Sequence, residues 1–288
     1  MGSGSPTANC ARQKRQEAKL TYGTIEIETQ DGVAILAFNR PRVLNAFNAE
    51  LVREVGAAMD ALAADDHVKA IVVRGLGRAF SAGFDLKESA ATAGERTPAG
   101  WRAVLEADYR FIMSFWDCPK PTIAAVHGYC IGGAFELSLA CDVTVAAAGT
   151  RFGAPEVKFG SGAVALLLPW IAGPKAAKEL LLTGDDGLSA QRACELGIVN
   201  HVVQDGEELD KAKAIARSMA SAASGAVRLT KLAINRSYEA MGMKAALAAA
   251  LELDIFIEAS GGEERAEFDR IRRAEGLQAA LAWRDAKR

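Results

Sequence analysis

The stretch from Lys120 to Val157, KPTIAAVHGYCIGGAFELSLACDVTVAAAGTRFGAPEV, constrains the fold more than any other part of the chain. Pro119 and Pro121 exclude a helix at its start and launch an extended run. Thr122 to Val126 is short, apolar and partly β-branched, which predicts a buried strand. Gly128, Gly132 and Gly133 break that pattern, and Ala134 to Cys141 resumes it with helical spacing. A strand, a glycine turn and a helix start in this order aim free backbone N–H groups at whatever lies before the helix. Glu136 falls in the first turn of that helix. Glu156 follows a second predicted strand, Val143 to Ala147, and a turn at Gly153-Ala154-Pro155. A donor-rich helix start flanked by two carboxylates suits acid–base chemistry beside a pocket that stabilises an anion.

Earlier in the chain, alternation from Tyr22 to Glu28, the turn residues Asp31-Gly32 and the apolar run Val33 to Phe38 predict a hairpin. Asn48 can cap a helix from Ala49 to about Ala64, with Leu51, Val55, Ala58, Met59 and Leu62 on one face. Ala70 to Arg74 reads as a buried strand. Residues 88 to 100, rich in Ala, Thr, Gly and Pro, read as a mobile loop, followed by a helix from about Trp101 to Phe115. After Glu156 the pattern predicts helices near Ala163 to Ile171 and Lys175 to Leu182. Next come a short helix capped by Ser189 and a last strand from Ile198 to Val203. Beyond Glu207 only helical periodicity remains, at about 207–222, 225–240, 243–260, 263–274 and 276–286. The strand–strand–helix rhythm without a sequence repeat favours a layered or spiral α/β core.

Two glycine turns carry the chemical argument: Ser81-Ala82-Gly83-Phe84-Asp85 and Gly132-Gly133-Ala134. Two N–H donors converging from such turns would form an oxyanion hole, each worth ~10²–10³ in rate. Either turn alone could serve tight packing. Glu136 lies among Phe135, Leu137, Leu139 and Ala140, where an unpaired carboxylate is costly. A salt bridge would explain Glu136 or Glu156 singly; both flanking glycine turns points to function. Other chemistries lack their signatures. Ser81 is not in a GxSxG elbow, and Gly75-Leu-Gly77 lacks the third glycine of a dinucleotide fingerprint. His67, His127 and His201 are isolated, so no metal site is expected, and a structural hydrogen bond suits His127.

A net charge of −2 over 288 residues offers no electrostatic footprint for nucleic acid or an anionic membrane. Only the N-terminal tail has a basic cluster, Arg12, Lys14, Arg15 and Lys19. No apolar run spans a bilayer, and no secretory h-region leads the chain. Cys10, Cys118, Cys130, Cys141 and Cys194 show no paired spacing and suit reduced residues of a cytoplasmic protein.

In combination, Asn39-Arg-Pro-Arg-Val-Leu-Asn-Ala-Phe47, Arg78-Ala-Phe-Ser-Ala-Gly-Phe-Asp-Leu-Lys-Glu88, Lys120 through Leu137, Ala140-Cys-Asp142, Phe152-Gly-Ala-Pro-Glu-Val157 and Leu182-Thr-Gly184 resemble the crotonase superfamily of enoyl-CoA hydratases and isomerases, over roughly residues 20 to 288. The resemblance implies an α/β fold, a spiral of ββα units with a C-terminal all-helical trimerisation region. Residues 1–19 would be a disordered tail, 20–205 the spiral core and 206–288 the helical region. It implies homotrimers or hexamers and acyl-CoA thioester substrates. The substrate carries the coenzyme A, and no separate cofactor or metal is expected. The oxyanion hole would be the N–H groups of Phe84 and Gly133. Val43, Leu44, Ala82, Phe84, Asp85, Leu86, Lys87 and Gly132 would contact the substrate or its CoA. In a hydratase, Glu136 would help deprotonate a water that attacks C3, and Glu156 would protonate C2. Two departures stand out. Val164 sits where hydratases carry a glycine, and Phe84 where a small residue is common; both alter the wall of the acyl pocket. The expected function is therefore 2-enoyl-CoA hydration. A Δ3,Δ2-enoyl-CoA isomerase, another acyl-CoA enzyme of the family and a non-catalytic CoA-thioester binder are the alternatives.

Overall fold

The computed structural model describes residues 22–88 and 97–286. The expected tail at 1–19 and most of the expected loop at 88–100 lie outside the described residues. Strands β1 (Ile25–Gln30) and β2 (Val33–Phe38) form the predicted antiparallel hairpin, with Asp31 and Gly32 at positive φ in its turn. Helix α1 (Ala49–Ala64) follows, its N-terminus capped by the Asn48 side chain, which accepts from the Leu51 N–H. Strands β3 (Ala70–Gly75), β4 (Thr122–Val126), β6 (Val143–Ala147) and β9 (His201–Val203) add in parallel. The main sheet has six strands in the order β1-β2-β3-β4-β6-β9.

The apolar runs of β2, β3 and β4 reflect burial on both faces, as parallel strands require. One face presents Leu36, Phe38, Ile71, Val73, Ala124 and Val126 to Leu51, Val55 and Met59 of α1. The other presents Val33, Val72, Ile123 and Val145 to Ala212 and Ala216 of a helix at Glu208–Ser221. Those two alanines keep its contact face small.

A second sheet, which the sequence did not reveal, has three very short strands in the order β5 (Tyr129–Ile131), β7 (Arg151–Gly153) and β8 (Leu188–Ser189). At two or three residues each they are too short to carry a period. They exist because neighbouring segments supply the hydrogen bonds. β5 therefore lies between the expected strand β4 and the glycine turn at Gly132, and helix α3 (Gly133–Ala140) starts from β5.

The helix expected at 101–115 spans Pro98–Asp117 (α2). Thr97 caps it by accepting from the Gly100 N–H, with Pro98 at its first turn, so residues 98–100 belong to the helix rather than a loop. The helix expected at 163–171 is confined to Leu168–Ile171 (α4), because the N–H groups of Val164 and Ala165 are held elsewhere. Helices α5 (Gly173–Thr183), α6 (Ala190–Glu195), α7 (Glu208–Ser221), α8 (Ser224–Ala240), α9 (Met243–Ser260), α10 (Glu263–Glu275) and α11 (Leu277–Asp285) complete the chain. Ser189 caps α6 as expected. The molecule is thus α/β with a helix-rich C-terminal part. Among the described residues no helix is long and apolar enough to cross a membrane.

Candidate active site

The segment Ser81–Asp85 runs between residues 44–47 on one side and β5 on the other. Ser81 N–H donates to the Tyr129 carbonyl at 3.0 Å, Ala82 N–H to Leu44 at 2.9 Å and Asp85 N–H to Phe47 at 2.9 Å. Gly83 N–H donates to Ser81 Oγ at 3.1 Å. Phe84 N–H is the one amide in this run with no acceptor among the described residues. Buried Asn45 anchors the arrangement, its Nδ2 donating to the carbonyls of Leu76 and Ala79 at 2.8 and 2.9 Å.

The second turn meets the first directly. Gly83 has φ 81°, and a Cβ there would stand 3.1 Å from the Gly133 nitrogen and 2.5 Å from the Ile131 carbonyl oxygen. Gly132, at φ 61°, spends its own N–H on the Gly153 carbonyl at 2.8 Å. Gly133 opens α3, so its N–H has no partner within the helix. The structure thus brings the Phe84 and Gly133 amides into neighbouring turns, both free to donate. The Phe84 ring lies against Gly133, where a Cβ would meet Cε2 at 2.4 Å. The same ring packs edge-on to Phe47 and Phe111, with centroids 5.8 and 6.3 Å away. An aromatic wall therefore borders this gap.

Glu136 sits one turn into α3 and is buried. Its carboxylate receives the Val164 N–H on Oε1 at 3.0 Å and the Ala165 N–H on Oε2 at 2.9 Å. Burial pushes its pKa well above the ordinary carboxylate value; Glu156 and Asp254 add to the rise, and the two amides oppose it. Glu156 begins a 3₁₀ turn, Glu156–Phe159, after Pro155. Its Oε1 occupies the place a Cβ at Gly132 would take, 2.5 Å away, and its Oε2 is buried without a hydrogen-bond partner. Burial pushes Glu156 up to about 7, opposed by its own backbone N–H and by Arg284, with Asp254 adding to the rise. Both glutamates therefore flank the Gly132-Gly133 turn, one with both carboxylate oxygens held by backbone donors and one with its Oε2 unpartnered.

The remaining expected residues surround this centre. Leu44 adopts a left-handed conformation beside Ala82, and Val43 is exposed. Asp85 pairs with Arg40 at 3.1 Å and accepts the Lys87 N–H at 3.1 Å, leaving the Lys87 side chain exposed. The Leu86 carbonyl accepts from Arg272 of α10, which ties the C-terminal helices to this turn. His127 makes the structural bond expected of it, to the Gly77 carbonyl at 3.0 Å. Cys118, Cys130 and Cys141 are buried and free.

Sequence reasoning missed two features: the Val164 and Ala165 amides that grip Glu136, and Asp254 of α9. The second was detectable. Met243, Leu247, Leu251, Asp254, Ile255 and Glu258 share the buried stripe of α9, so periodicity put a carboxylate among core positions.

The chain as a whole is similar to known proteins. Residues 28–273 match the family described as enoyl-CoA hydratase/isomerase. A probable enoyl-CoA hydratase of Mycobacterium bovis is 35% identical over 235 residues, covering 76% of this chain and 84% of that one. A crotonyl-CoA hydratase of Syntrophomonas wolfei is 36% identical over 245 residues, covering 82% and 90%. The crystal structure of an enoyl-CoA hydratase/isomerase from Xanthobacter autotrophicus superposes with a TM-score of 0.91 at 49% identity, covering 93% of this chain and 99% of that one. The chain belongs to the enoyl-CoA hydratase/isomerase family. It is an enzyme, with the crotonase-type α/β fold of its structural neighbours.

Proposed function

We infer that the protein hydrates 2-enoyl-CoA thioesters, adding water across C2=C3 to give a 3-hydroxyacyl-CoA. The observation that carries this reading is the meeting of two unengaged amides, Phe84 and Gly133, with two carboxylates on either side of one glycine turn. In this reading both amides donate to the thioester oxygen and hold the charge that gathers there as an enolate forms. The glutamates divide acid and base work by their surroundings. Glu136 receives two backbone N–H bonds, which favour its anion; Glu156 Oε2 receives none, which favours its acid. With the proton on Glu156, the repulsion that burdens Glu136 is lifted. Glu136 takes a proton from water as the oxygen bonds to C3, and Glu156 gives its proton to C2. Atoms and charge balance once Glu136 returns that proton to Glu156.

Val43, Leu44, Ala82 and the turn Phe84 to Lys87 would receive the CoA portion, with Gly132 lining the reacting end. The enzyme would need no cofactor of its own and would act in the cytoplasm as a homotrimer or hexamer. One observation favours a second reading. Both oxygens of Glu136 are already engaged by Val164 and Ala165, so Glu156 could act alone as the single base of an isomerase.

The test follows ultraviolet absorbance of the conjugated thioester with crotonyl-CoA, a longer 2-enoyl-CoA and a 3-enoyl-CoA. Fast loss from the 2-enoyl substrates, abolished by Glu136→Gln and by Glu156→Gln, supports the hydratase. Gain of conjugation from the 3-enoyl substrate, sensitive only to Glu156→Gln, supports the isomerase. No change with any substrate despite thioester binding would overturn both in favour of a binding role.

A further inference from the structure

The segment from Glu156 to Ala165 carries more carboxyl chemistry than a pair of glutamates. Glu156 starts it, and Glu136 is gripped by the amides at its end. Between them Asp254 packs onto Gly162, where a Cβ would stand 2.3 Å from Asp254 Oδ1. Asp254 is 3% exposed, and neither of its oxygens makes a hydrogen bond among the described residues. The Gly162 N–H lies close enough to favour its anion without being aligned as a bond.

One turn further along α9, Glu258 is also buried yet fully served. It accepts from Ser161 Oγ and pairs with Arg265 at 3.2 Å. Arg265, the cation that bears on Asp254, is also shared with Asp269 at 3.6 Å. The charged groups around Asp254 are thus Glu258 and Arg265, with Glu136 and Glu156 across the segment. Three carboxyls so placed cannot all ionise cheaply in a dry interior. They also do not make a metal cradle, since no group of metal-ligating side chains forms among the described residues.

We propose that Asp254 is a positioning residue for the glutamate pair: packed on the segment that begins at Glu156 and grips Glu136, it retains a proton within a three-carboxyl cluster and keeps Glu156 in its acid form. This rests on the hydratase reading of the pair. Burial raises Asp254 itself to about 7, with Glu258 adding and the Gly162 N–H and Arg265 opposing, and its charge in turn raises Glu156 and Glu136. Glu156 then delivers that proton to C2 and recovers it from the water consumed, so no other donor is needed.

The test compares wild type with Asp254→Asn, which keeps the shape and removes the charge, and with the smaller Asp254→Ser should Asn impair folding. The pH dependence of kcat/KM for crotonyl-CoA hydration is followed from about pH 5 to 9. The alkaline limb should move toward lower pH by about one unit, which means roughly tenfold loss near pH 8 with little change near pH 6. A uniform fall at every pH, with the limb unmoved, would reduce Asp254 to a packing residue and overturn the proposal.

A wild type without hydration would sink the reading of the pair, and unfolding measurements then decide the cluster separately. Asp254→Asn and Glu156→Gln should each flatten the fall in stability between about pH 4 and 7, and together by less than their sum. Additive effects, or none, would show that no proton is shared.

Discussion

Glu136 and Glu156 begin with the same side-chain chemistry and end in different surroundings. A charged acceptor is supported by donors aimed at it, so the hydratase reading puts the anion on Glu136 and the proton on Glu156, although burial and the neighbouring carboxyls raise Glu136 as well. Glu156 is held up to about 7, above its unfolded value. A carboxyl raised on folding stabilises the protein most below its unfolded pKa, and that contribution is lost as pH rises through the folded pKa. Stability should therefore decline from about pH 4.5 to 7, and Glu156→Gln should flatten the decline in urea titrations across that range. Removing either glutamate should cut hydration by about 10²–10⁴ while thioester binding persists. Cys130 gives the opposite expectation. It is buried, its Sγ faces the Ala134 carbonyl at 3.3 Å, and burial keeps its thiol protonated. Cys130→Ser should leave turnover within a few-fold of wild type in the same assay.

At the scale of elements, the deciding piece is the irregular segment between the 3₁₀ turn Glu156–Phe159 and α4. Its apolar spacing reads as helix, but Glu136 takes two of the amides a helix would need. The segment is therefore a clamp pinned from both sides, by α3 through Glu136 and by α9 through Asp254. Gly162→Ala puts a methyl 2.3 Å from Asp254 Oδ1, so segment or helix must move. We expect about 1–3 kcal/mol of lost stability in chemical denaturation. Hydration should fall by at least tenfold, because the amides leave Glu136. Unchanged kinetics would mean that the clamp does not govern the carboxylate.

Over the whole molecule, the C-terminal helices leave large apolar side chains exposed on α8 and α9: Leu229 67%, Leu253 67% and Phe256 70%. Large apolar side chains left exposed on neighbouring helices suit association. A trimer or hexamer is the expected assembly. The double variant Leu253→Asp, Phe256→Asp should sediment as a smaller species in analytical ultracentrifugation. A wild-type monomer at micromolar concentration would sink that expectation.

The strands β2, β3, β4 and β6, the capped helix α1 and the C-terminal helices were legible because each is a local pattern: an apolar run, a cap, a 3.6-residue period. The two glutamates were legible for a related reason, since a carboxylate beside a glycine turn or inside an apolar helix is costly without a role. Family motifs in order supplied the ligand class, which periodicity cannot. Only the tertiary structure decided the rest. Strands β5, β7 and β8 are too short to carry a period and exist through pairings with distant segments. The free amide of Phe84 follows from which neighbours take the amides of Ser81, Ala82, Gly83 and Asp85. The fate of residues 163–167 followed from Glu136, far away in sequence. Spacing could place Asp254 on the inward stripe of α9, but only the packed chain brought that carboxyl onto Gly162, because proton affinity in a dry interior depends on which charges and donors surround a group, and long-range packing selects them.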